Sequence, residues 1–190
     1  MIMPILAYGH PNLRKIAEDI DVNYPNLDKL LEDMYETMYQ SNGVGLAAPQ
    51  VNRGIRLFII DASPYAEEIP ELADFKRVFY NAKIVEEEGR EWAFNEGCLS
   101  VPNINEDVMR KPKIKIQYYD QDWNYQEEEF DGVIARIIQH EYDHLEGILF
   151  VDRVATIRKT LLRGKLNDIS KGKVKVDYRM IFPAMKKGRR

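Results

Sequence analysis

One cysteine is all that the 190 residues contain, so no disulfide can form within the chain, and a reducing compartment is its natural setting. Long hydrophobic runs are missing as well. The apolar stretches are short, such as Leu57-Phe-Ile-Ile60, and none is long enough to span a bilayer. The opening Met-Ile-Met-Pro has no basic region followed by an apolar stretch, so neither a secretory signal nor an organelle presequence is expected. No internal repeat, low-complexity tract or Gly/Ser linker divides the chain, which predicts one domain over residues 1–190. Histidine is nearly as scarce, with three in all.

What is present has an ordinary globular balance, 45% hydrophobic and 31% charged, which excludes a disordered chain. The net charge of −4 hides an asymmetry. From Arg153 onward thirteen Lys and Arg face only Asp168 and Asp177, a segment of +11 that leaves −15 on the first 152 residues. An acidic body with a basic end suits an anionic partner such as RNA, and equally a solvated helix and tail.

Leu27, Leu30, Leu31, Met34 and Met38 recur at helical spacing and predict an amphipathic helix over residues 27–40. Residues 55–61 read as a buried strand, 63–76 as a surface excursion and 78–85 as a further strand. Ile114, Ile116 and Tyr118 alternate with polar residues, and a turn at 120–124 leads into 125–130, a hairpin pattern. A second amphipathic helix covers 133–146 and stops at Gly147, and a third covers about 155–169. Val174, Val176 and Tyr178 then alternate with charged residues, predicting a last strand to about residue 182, followed by the basic tail at 186–190. Strands and helices mix without βαβ repetition, so the expected class is α+β.

His140-Glu-Tyr-Asp-His144 is an HExxH sequence inside the second helix. Four helical residues turn ~400° and rise ~6 Å, so both imidazoles lie on one face and can reach one metal ion. Glu141 sits ~60° around from His144, close enough to serve a metal-associated water. His10, before Pro11 in a turn, reads as a surface residue. A catalytic metal needs a third protein ligand. Zinc endopeptidases that share HExxH take theirs downstream, yet no later histidine exists and no glutamate follows Glu146. Cys98, in Glu96-Gly-Cys-Leu-Ser100, is the remaining candidate, although a lone cysteine is often just a small buried hydrophobe. A thiolate with two imidazoles suits Zn²⁺, Fe²⁺, Co²⁺ or Ni²⁺ alike.

Gly43-Val-Gly-Leu-Ala-Ala-Pro-Gln50 satisfies G-x-G-x-x-A, but it follows a helix and precedes a strand. A dinucleotide fingerprint requires the reverse order, so no dinucleotide is expected. The small residues permit close backbone approach, and Gln50 offers an amide donor suited to an oxyanion.

These three segments, in this order, resemble the signature motifs of peptide deformylases, which remove the formyl group from new polypeptides. Weaker similarity runs through Gly9 to Arg14, Val101-Pro102 and Arg110, covering the chain to about Arg153. The resemblance implies antiparallel β-sheets packed around a central helix carrying HExxH. It covers a catalytic body of about residues 1–153, whereas the basic helix, strand and tail over 154–190 depart from the many bacterial members that finish with a helix. Cys98, His140 and His144 would bind one divalent ion, Fe²⁺ physiologically, with Zn²⁺, Ni²⁺ or Co²⁺ tolerated. Glu141 would be the general acid/base, with Gln50 and the Leu99 N–H stabilising the oxyanion. Gly43, Gly45 and Gly97 would contact the N-formyl-Met polypeptide, Gly45 holding its backbone. Val44, Glu96, Arg110, Val133, Arg136 and Ile137 would line or border its methionine pocket, Arg136 being polar for that role. The expected setting is the bacterial cytoplasm, an organellar origin staying open, with no membrane contact and a transient ribosome or rRNA contact through the basic C-terminal segment.

Overall fold

A computed structural model describes residues 1–183, so the basic tail expected at 186–190 lies outside the described residues. Along the chain run β1 (Ile5–Leu6), α1 (Leu27–Gln40), β2 (Gly45–Ala47), β3 (Leu57–Asp61), β4 (Lys76–Glu88), β5 (Trp92–Cys98) and β6 (Val101–Arg110). They continue with β7 (Lys113–Tyr119), β8 (Tyr125–Asp131), α2 (Gly132–Leu145), α3 (Thr156–Ser170) and β9 (Met180–Ile181). Five strands form an antiparallel sheet in the order β2-β3-β4-β7-β8. β5 and β6 make a separate antiparallel hairpin, and β1 pairs parallel with β9. The class is α+β, as the alternation of elements predicts.

The unbroken apolar run of β3 has a specific cause. Leu57 and Ile59 face α1, where they join Leu30, Leu31, Met34 and Met38. Phe58 and Ile60 face α2, where they join Phe79, Ile116, Ile134 and Ile138. A strand covered by a helix on each side has no solvent face to leave polar. Phe58 and Phe79 stack with ring centroids 4.6 Å apart, and each such buried side chain contributes about 1.5–3 kcal/mol through desolvation.

The sequence pattern leaves the β5–β6 hairpin unassigned. In β6 burial alternates from Pro102 onward, but its inward positions include Glu106 and Arg110 beside Ile104 and Val108. Glu106 takes the Arg158 guanidinium at 2.8 Å, and Arg110 is ion-paired to Glu96, also at 2.8 Å. Paired charges at inward positions erase a hydrophobic alternation. β4 is also longer than expected, because Glu88 pairs opposite Lys113 on the neighbouring strand. The excursion at 63–76 carries two 3-10 turns, Ser63–Tyr65 and Pro70–Leu72, with Leu72 buried.

The last strand is a correction. Val174, Val176, Tyr178 and Met180 are half-buried between exposed neighbours, yet only Met180–Ile181 joins a ladder, against Ile5 and Leu6. Period-two burial reports extended chain, whereas a strand also needs a partner, and β1 is only two residues long. The basic helix α3 inserts Leu162, Leu166 and Ile169 into a cluster with Val101, Val108 and Phe150. Among the described residues no helix is long and apolar enough to cross a membrane.

Candidate metal centre

Helix α2 is fixed by its apolar face, which buries Ile134, Ile138 and Leu145 against the sheet. It ends at Gly147, where φ is +69° and an added Cβ would lie 2.6 Å from the Arg14 carbonyl oxygen. Only glycine fits that exit. His140 and His144, one turn apart, have ring centroids separated by 5.3 Å.

Cys98 closes β5 at a slip in the β5–β6 register between Gly97 and Cys98. The two-residue turn Leu99-Ser100 then starts β6. A bulge redirects the side chain at its position, and Cys98 Sγ lies 3.4 Å from His144 Nε2. Ligand atoms of Cys98, His140 and His144 all fall within 4.8 Å of one another. A tetrahedral ion with ordinary thiolate and imidazole distances would hold its S and N donors about 3.5 Å apart. The donor set therefore fits a divalent ion in both chemistry and spacing. Burial, and then the neighbouring His140, hold His144 well below the usual histidine range, so it stays a neutral ligand-competent imidazole.

Behind the ligands lies a buried ion network. His140 Nδ1 donates to Glu96 at 2.9 Å, which fixes that ring and leaves Nε2 for the ligand role. Glu96 also receives Arg110 Nε at 2.8 Å and Arg136 Nη1 at 3.1 Å. Burial opposes its ionisation, but the bonds from His140 and Arg110 outweigh burial and hold the carboxyl well below the usual range. Arg110 reaches on to Asp143 at 2.7 Å, and Arg153 closes the chain on Asp143 at 2.6 Å.

Gln50 lies in a 3-10 turn, Ala48–Val51, and is 2% exposed. Its Oε1 accepts from the Ala47 N–H at 2.9 Å, so its amide nitrogen faces Cys98 Sγ at 3.5 Å and Ser100 Oγ at 3.2 Å. The glutamine is thus oriented with a donor aimed into the site. Glu141 is buried beneath Gly45, where an added Cβ would stand 2.5 Å from Glu141 Oε1. Its Oε2 has no hydrogen-bond partner among the described residues. Burial pushes its carboxyl up to about 7. A carboxyl at that value can both take and return a proton near neutral pH.

A cavity of about 620 Å³ opens onto these groups. Gly43, Val44, Gly45, Gln50, Glu96, Gly97, Cys98 and Leu99 border it, and from α2 so do Arg136, Ile137, His140 and Glu141. His144 sits behind, 1% exposed. Arg110 and Val133 are not among the residues lining it. Arg110 is buried in the ion network, and Val133 packs against the sheet core. Arg136 does line it, its guanidinium 4.9 Å from the Trp92 ring centroid and bonded to the Trp92 and Val108 carbonyls. Its charge is thereby spent on Glu96 and the backbone. Sequence reasoning missed Tyr65, Phe94 and the wall formed by residues 175–178. Tyr65 stood in an excursion with no periodicity, and the wall stood in a segment whose alternation spoke only of extended chain.

A family model of polypeptide deformylases matches residues 2–160. The peptide deformylase of Christiangramia forsetii is 53% identical, and that of Flavobacterium johnsoniae 54%, each alignment covering all of both chains. Among solved structures, the peptide deformylase of Plasmodium falciparum is 36% identical with a TM-score of 0.79, covering 88% of this chain and 95% of that one. A peptide deformylase from Legionella pneumophila is 36% identical with a TM-score of 0.78, covering 91% and 98%. Matched over most of its length and more than half identical to these relatives, the chain belongs to the polypeptide deformylase family, metallo-hydrolases that remove the N-formyl group from nascent polypeptides.

Proposed function

We propose that Cys98, His140 and His144 hold the single divalent ion of this enzyme, Fe²⁺ in the native state, and that Glu141 moves the proton. The observation that carries this reading is the burial of Glu141 beside three ligand-competent atoms within 4.8 Å of one another. Fe²⁺ rests on the family resemblance, since these donors also suit Zn²⁺, Ni²⁺ or Co²⁺. Bound there, the ion supplies Lewis acidity, lowering the pKa of water and drawing developing negative charge.

The chain's own residues do the rest. Glu141 accepts a proton from water as its oxygen bonds to the formyl carbon, and the C=O electron pair moves onto oxygen. Gln50 Nε2 and the Leu99 N–H donate to that oxygen, each able to contribute a few kcal/mol when well aimed. The C–N bond then breaks as Glu141 returns the proton to the leaving nitrogen. Formate and a free N-terminal methionine result. Gly43, Val44 and Gly45 on one side and Gly97 on the other receive the substrate backbone. Ile137 and the neutralised Arg136 border the methionine side chain. Glu96 borders the methionine pocket and holds His140 from behind, and Arg110 holds Glu96.

One domain spans the chain in this reading, because α3 shares a core cluster with β6 and β9 pairs with β1. The setting is the cytoplasm, where formylated chains are made. The +11 segment from Arg153 onward supplies a weak, salt-sensitive contact with ribosomal RNA. Co-sedimentation with ribosomes, with and without residues 183–190, tests the tail's part. Equal binding by both forms excludes it.

The test of the activity compares one peptide with and without its formyl group, using metal-loaded enzyme. Formate from the formylated form, with no internal cleavage of either, supports the reading. Internal cleavage with no formate points to an endopeptidase. Unchanged turnover by Glu141→Ala removes Glu141 as the base.

A further inference from the structure

Tyr178 lies outside the family match, which ends at residue 160, yet it borders the cavity and its hydroxyl donates to the Leu99 carbonyl oxygen at 2.8 Å. That carbonyl belongs to the two-residue turn between β5 and β6, with Cys98 immediately before it. The turn is held on its other side too. An added Cβ at Gly43 would lie 3.0 Å from Leu99 Cδ1, so the leucine side chain packs directly on that glycine. Ser100, which completes the turn, receives Gln50 Nε2 on its hydroxyl at 3.2 Å, and its carbonyl accepts from Tyr8 N at 2.8 Å.

The segment that carries Tyr178 is itself anchored at both ends. Asn103 Nδ2 donates to the Lys175 carbonyl at 3.2 Å, and Ile5 N donates to the Arg179 carbonyl at 2.9 Å, where the β1–β9 ladder begins. A tyrosine on a chain pinned three residues before it and one residue after it is a fixed post. An external donor on the Leu99 carbonyl fixes the Leu99–Ser100 peptide plane and, through the Leu99 Cα, restrains the preceding plane that carries the Leu99 N–H.

We propose that Tyr178 is a positioning residue for deformylation, acting through the Leu99 carbonyl to set the turn that presents the Leu99 N–H to the formyl oxygen. The proposal rests on the role given above to the Leu99 N–H. That donor is useful only when aimed at the oxyanion rather than at the ground-state carbonyl, so a loosened turn lowers kcat while leaving substrate affinity largely in place.

Tyr178→Phe removes the hydroxyl and keeps the ring in the cavity wall. With metal-loaded enzyme and a formyl-Met peptide, kcat falls about tenfold and KM stays within about twofold. Metal content and melting temperature remain those of the wild type. A kcat within about twofold of wild type overturns the proposal. So does a raised KM at unchanged kcat, which would make Tyr178 a substrate contact, or a loss of metal, which would place its effect on Cys98. A second variant replaces Leu99 by its α-hydroxy acid, converting the amide N–H to an ester oxygen. Loss in the ester variant with none in Tyr178→Phe overturns Tyr178 alone. No loss in the ester variant overturns the role of the Leu99 N–H and the proposal with it.

Discussion

His140 Nδ1 and Glu96 Oε2 are 2.9 Å apart, and the same carboxylate is the shared partner of Arg110 and Arg136. One buried carboxylate thus orients a ligand and bonds two guanidinium ions, one of which it shares with Asp143. Removing such an outer partner typically costs 10–100-fold in metal affinity. Glu96→Gln is expected to lose about that much, read by competition with a chelator. Glu96→Ala additionally leaves Arg136 buried without its anion, Arg110 keeping Asp143, which costs about 3–5 kcal/mol in denaturant unfolding. Wild-type affinity in both variants would mean that Glu96 does not support His140.

Glu141 contributes to the pH dependence of the metal-free protein, and comparison with Glu141→Gln isolates its part. Burial pushes its carboxyl from the usual 4.5 up to about 7. A carboxyl raised in the folded state contributes its full stability below the unfolded value and loses it as pH rises through the folded one. Between about pH 4.5 and pH 7 this group therefore withdraws on the order of 3 kcal/mol, which Glu141→Gln does not. The stability of the variant relative to wild type should rise with pH across that window. A difference that stays flat contradicts the assignment.

Gln50 donates toward the site because its own carbonyl is held by Ala47. Gln50→Ala deletes the donor together with the acceptor of the Ala47 N–H, and kcat should fall on the order of 100-fold with a much smaller change in KM. Metal content should stay at the wild-type level. A rise in KM alone would make Gln50 a binding residue.

Gly45 tests the closeness of β2 to Glu141. The methyl of Gly45→Ala would meet Glu141 Oε1 at 2.5 Å, so the carboxylate must move. A displacement of this kind at a reacting group lowers turnover by about 10–100-fold. Single-turnover formate release by a variant with full metal content is the measurement. Wild-type rates would show that Glu141 has room to spare.

The sequence made the metal centre legible because helical geometry turns HExxH into two imidazoles on one face, and α1 because its five apolar positions face one side. α2 starts one residue early, and α3 is displaced by one residue at each end, within ordinary fraying. Hidden from the pattern were the elements whose inward positions are charged. Glu106 and Arg110 made β6 look solvated, although ion pairs bury both. The part of the cavity wall at residues 175–178 was invisible for another reason. Its place depends on contacts with Asn103 and β1, which lie far away in sequence.

The most direct test strips the protein with a chelator and returns metal anaerobically in steps, following formate release from a formyl-Met peptide against ions bound per chain. The account predicts no release at zero occupancy, a rise that saturates at about one ion per chain, and no recovery in Cys98→Ala under the same titration. Full release from the stripped protein, or none at one bound ion per chain, would contradict it.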